Sequence, residues 1–73
     1  MNKYIVPICN INNGEVWIKT IIAKSNSDCQ EKIMEDFLNQ YDLEEVSDYR
    51  KLTQILDTDY DILIGEIKDV EEL

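Results

Sequence analysis

The chain has 73 residues and a formal charge of −9, from 16 acidic and seven basic side chains. That length admits one domain, residues 1–73, and leaves only a thin margin of stability. So negative a surface repels nucleic acid and anionic membranes, while the 44% hydrophobic content is too high for a disordered tail.

Residues 3–11 are rich in Ile and Val and read as a strand, with Pro7 marking an edge position or a bulge because it donates no backbone hydrogen bond. Asn12-Asn13-Gly14 tolerates positive φ and predicts a hairpin into a second strand over 15–24. On that strand Val16, Ile18, Thr20 and Ile22 share one side, and Trp17, Lys19, Ile21 and Ala23 the other. Neither side is wholly polar, so one must pack on helices while the other is exposed or meets a partner.

A helix is predicted over about 27–41, capped either by Ser25 with Asp28 or by Ser27 with Gln30. Cys29, Ile33, Met34, Phe37, Leu38 and Tyr41 form its apolar stripe. Residues 42–46 connect it to a shorter helix over 48–56, with Ser47 as the expected N-cap and Asp48 in the first turn. Asp57-Thr58-Asp59 breaks that pattern before a third strand over 60–68, whose interior Gly65 suggests a bulge or a close approach. The acidic residues 69–73 are expected to fray. The fold class is therefore α+β: a three-stranded antiparallel sheet (β-β-α-α-β), strand order 2-1-3, with both helices packed on one face.

Much chemistry is missing. The absence of histidine removes imidazole acid–base catalysis, Ser-His and Cys-His nucleophile pairs and most zinc sites. The two glycines are isolated and form no phosphate loop. Asp57, Asp59 and Asp61 imitate the opening of a calcium loop, but Ile62 stands where Gly is needed and Lys68 where Glu is needed. No enzyme activity, cofactor or metal is expected. Cys9 and Cys29 read as reduced packing residues. No signal-peptide pattern precedes the first strand, and no apolar run approaches the roughly 18 residues of a membrane span. A cytosolic protein without a membrane partner is expected.

The charge is lopsided. Residues 1–27 carry +2 and residues 28–73 carry −11. Asp28, Glu31 and Glu35 fall three and four apart on one helix face, and Asp42, Glu44, Glu45 and Asp48 continue the run. These seven carboxylates are the candidate partner-binding residues, facing a protein with a basic, nucleic-acid-binding surface. Trp17 and Ile21 are the candidate second interface, expected on the open side of the sheet with Leu63 and with Tyr4 or its neighbours, and suited to a homodimer.

In its size, acidity and lack of catalytic residues the whole chain resembles, as a class and without any motif, the small inhibitors of bacterial defence systems carried by phages and mobile elements, anti-CRISPR proteins among them. The resemblance implies an inhibitor that blocks a nucleic-acid-binding effector in the host cytosol, in some cases by imitating the charge of DNA. It assigns no role to any single residue.

Overall fold

The computed structural model describes residues 1–41, 43, 46 and 48–73. Among these residues the elements run β1 (Asn2–Asn10), β2 (Glu15–Ala23), α1 (Asn26–Tyr41), α2 (Tyr49–Tyr60), β3 (Ile62–Ile64) and β4 (Lys68–Glu72). The α+β class and the antiparallel order β2-β1-β3 agree with the sequence reading. The single third strand expected over 60–68 is instead two short ones, both pairing with β1.

The hairpin follows from its turn residues. Gly14 sits at φ 72 and donates its N–H to the Asn10 carbonyl at 2.9 Å. The Asn10 and Asn13 side chains accept from the Asn12 and Glu15 amides. The resulting register runs unbroken through nine pairs, from Asn10 opposite Glu15 to Asn2 opposite Ala23.

Pro7 lies in the central strand, not at an edge. The reason is local. Gly65 N–H donates to the Pro7 carbonyl at 2.7 Å, so the backbone edge of Pro7 faces the third-strand side. On that side the ladder is interrupted between Ile64 and Lys68, where no amide from residue 7 is required. The proline thus divides one long strand into β3 and β4. Gly65 fits the gap because it has no side chain: a Cβ there would lie 2.6 Å from Pro7 Cγ.

Alternation along β1 sends Tyr4, Val6 and Ile8 into the core. They meet Ile21 and Ala23 of β2, Cys29, Ile33 and Phe37 of α1, Leu52 and Leu56 of α2, and Ile62 of β3. Ser25 caps α1, its hydroxyl accepting from Asp28 N–H at 3.2 Å, while the Asp28 carboxylate accepts from Lys24 N–H at 3.0 Å. The first of the two expected caps is the one formed.

The α2 cap differs from expectation. It is Asp48, one residue later than Ser47, its carboxylate accepting from Arg50 N–H at 2.9 Å. The helix also continues through Asp57, Thr58 and Asp59 to Tyr60, whose ring packs 4.9 Å from that of Tyr41. It ends at Asp61 in the left-handed region, φ 55, with the cap N–H bonded to the Leu56 carbonyl. Tertiary packing of Tyr60 here overrides the weak propensity of the Asp-Thr-Asp triplet. Residues 68–72 pair with β1 as β4 instead of fraying, helped by the Asn2 side-chain amide donating to Asp69 at 2.8 Å.

Candidate functional site

Because the helices cover one side of the sheet, the register fixes what remains on the other. Cross-strand partners share a face. Lys3, Ile5, Pro7 and Cys9 of β1 therefore lie with Ile22, Thr20, Ile18 and Val16 of β2, and with Leu63 of β3. None of the described helices packs on this side of the sheet. Val16 is 65% exposed, Ile18 63%, Leu63 44% and Ile22 41%. Lys68 and Glu71 of β4 border it beside Ile5 and Lys3. An apolar depression of about 300 Å³ opens on the same side, lined by Pro7, Cys9, Val16, Leu63 and Gly65 among others. Fully burying one such aliphatic side chain is worth roughly 1.5–3 kcal/mol, so this surface holds unspent binding free energy.

Trp17 and Ile21, expected on the open side of the sheet, lie instead on the side where the helices pack. Both residues face the helices: Ile21 is buried at 7% exposure, beside the equally buried Tyr4. Trp17 pairs with the core residue Ile8 and stays 37% exposed. Lys19, on the same side, is held by Asp36 of α1 at 2.8 Å and lies 5.8 Å from the centre of the Phe37 ring. The pair is too exposed to contribute more than about 1 kcal/mol. The open side consists of the alternate residues Val16, Ile18, Thr20 and Ile22. A signal for this was present in the sequence. The hairpin register places the even residues of β2 beside the odd residues of β1, and that β1 side carries Lys3 and Pro7.

The acidic candidates divide. Glu31 and Glu35 are exposed on α1, away from the buried stripe of Cys29, Ile33 and Phe37, and neither makes an ion pair among the described residues. Asp28 shares that side of the helix, but its carboxylate closes the α1 cap and lies 3.8 Å from Lys32. The Asp48 carboxylate is engaged in capping α2. Asp42, Glu44 and Glu45, the middle of the expected run, lie outside the described residues. Lys32 also donates to the Ile22 carbonyl at 2.6 Å, bringing a cation close to Asp28.

No reactive constellation gathers among the described residues. The segment that imitates the opening of a calcium loop, expected as a turn before the third strand, is helical instead: Asp57 and Asp59 belong to the last turns of α2. Cys29 is fully buried; desolvation, reinforced by the Asp28 carboxylate and opposed by Lys32, raises its thiol above the ordinary value. Burial, with a smaller contribution from Cys29, pushes the Tyr49 phenol up to about 12. A second, more polar depression of about 290 Å³ runs past Asn26, Gln30, Tyr49 and Glu66, and Tyr49 stays neutral there at ordinary pH. No described helix is long and apolar enough to cross a membrane.

Comparison with protein-family models, with curated proteins and with solved structures returns no match.

Proposed function

We propose that this chain is a non-enzymatic, cytosolic binding protein that docks through the open face of its sheet. One observation carries this: Val16, Ile18, Ile22 and Leu63 stand exposed together on the side opposite the helices. A contiguous apolar patch on so small a domain lowers its solubility unless a protein covers it. The acidic helical layer then has a different task, keeping the chain soluble and speeding encounter with basic surfaces. The test is affinity capture with wild type, with the face variant Ile18→Asp, and with Glu31→Lys/Glu35→Lys. The proposal expects partner recovery lost in the face variant and kept in the helix variant; the opposite pattern refutes it.

A second reading keeps the acidic face as the working surface. On this reading the chain is an inhibitor of a nucleic-acid-binding bacterial defence effector, occupying its basic channel. The observation favouring it is that Glu31 and Glu35 are exposed on α1 with no ion pair among the described residues. It expects complex formation that weakens steeply with salt. Affinity indifferent to salt removes it.

A further inference from the structure

We infer that the occupant of the open face is a second copy of this chain, packed sheet to sheet about a two-fold axis near Pro7 and Ile18; the inference rests on the docking proposal and names its partner.

Electrostatics permits a second copy on this face. The protein carries −9, so two copies repel wherever their acidic surfaces meet. The charged side chains on and beside the open face, among the described residues, are Lys3, Lys68 and Glu71, a mixed set. Glu31, Glu35, Asp57 and Asp59 belong to the helices on the far side. The molecule is thin, 17 Å along its shortest axis. Sheets packed face to face about 10 Å apart would leave the two helical layers on opposite outer surfaces, roughly 30 Å from each other. That separation is several Debye lengths at physiological salt. A basic partner, by contrast, finds one carboxylate there among the described side chains, that of Glu71.

Shape supports a self-complementary contact. Ile18 is the cross-strand neighbour of Pro7 and projects into solvent beside the depression between Pro7, Cys9, Val16, Leu63 and Gly65. A two-fold axis here lets each copy's Ile18 fill the other's depression, the reciprocal contact that an isologous interface requires. Nine-residue strands are roughly 30 Å long and three strands side by side roughly 14 Å wide, giving a footprint of about 400 Å² per copy. That is about half of what each partner gives to a standard interface, so the dimer is a weak, transient one.

The test is sedimentation equilibrium of the full chain from roughly 1 µM to 1 mM, with Cys9 alkylation rates over the same range. A reversible dimer is expected, weakened at least ~100-fold by Ile18→Asp, which places an unpaired carboxylate at the axis. Cys9 lies on the face, so its alkylation in wild type should slow roughly fivefold to tenfold as the dimer fills. Cys29 is buried and should react slowly throughout. The alkylation readout needs no variant to fold. A monomer at about 1 mM, or a dimer untouched by Ile18→Asp with Cys9 still open, overturns the inference. The docking proposal fails separately: it falls if Ile18→Asp keeps capture of other partners while Glu31→Lys/Glu35→Lys loses it.

Discussion

Replacing Gly65 by alanine tests how β1 keeps a proline at its centre. The new Cβ would sit 2.6 Å from Pro7 Cγ and 3.2 Å from the Pro7 carbonyl oxygen. Carbon atoms prefer about 3.5–4.0 Å, so the overlap with the ring approaches ~1 Å. The ring cannot rotate aside, because it is closed onto a backbone held by ladders on both sides. The strands must part there, stretching the 2.7 Å bond from Gly65 N–H to the Pro7 carbonyl. Overpacking of this kind costs about 1–3 kcal/mol, and the lower chain entropy of alanine in the unfolded state returns about 0.4–1. A net loss of about 1–2 kcal/mol is expected. With a urea m-value near ~1 kcal/mol per molar for a chain this small, the midpoint falls by roughly 1–2 M. The assay is a double-mutant cycle in urea with Pro7→Ala. Without the ring, Gly65→Ala should cost about 0.5 kcal/mol or less, leaving a coupling of about 1 kcal/mol or more. Equal costs in both backgrounds would refute the claim that the proline ring shapes the gap.

Other expectations concern separate parts of the fold. Asp48→Ala removes the α2 cap and should lower stability by about 1 kcal/mol, measured by urea unfolding, whereas Asp48→Asn should keep most of it. Leu52→Ala, at a fully buried position, should cost about 2–4 kcal/mol, while Ile18→Asp, at an exposed one, should stay within about 0.5 in dilute solution. Tyr49 should give an alkaline limb. The unfolded phenol loses its proton near the ordinary value of 10.0 and the folded one near about 12, so stability is intact below the first and falls as pH rises through the second. Tyr49 is only half-buried, so the loss should be about 1 kcal/mol after screening, and Tyr49→Phe should abolish that part of the limb.

The sequence was legible where local chemistry decides the structure. Asn12-Asn13-Gly14 sets the hairpin through one positive-φ glycine and two side-chain carbonyls, and the apolar spacing of Cys29, Ile33 and Phe37 sets α1. It was illegible where distant contacts decide. Both sides of β2 are apolar, so its alternation does not say which is covered; the choice is made by Tyr4, Val6 and Ile8 across the ladder. Asp57-Thr58-Asp59 reads as a breaker, yet the helix runs on because Tyr60 finds the ring of Tyr41. An acidic tail reads as frayed, yet it pairs because β1 still has free backbone groups beyond the gap at Pro7. Of the acidic run, the spacing of Glu31 and Glu35 was readable, whereas the engagement of Asp28 and Asp48 in caps depends on where each helix starts.

The most direct measurement is an amide chemical-shift footprint of the isotope-labelled chain, recorded as its concentration is raised and again as a captured partner is added. Perturbations concentrated at Val16, Ile18, Thr20, Ile22, Cys9 and Leu63, with Glu31 and Glu35 unmoved, are the expected result. Perturbations confined to α1, with the open side of the sheet silent, would contradict it.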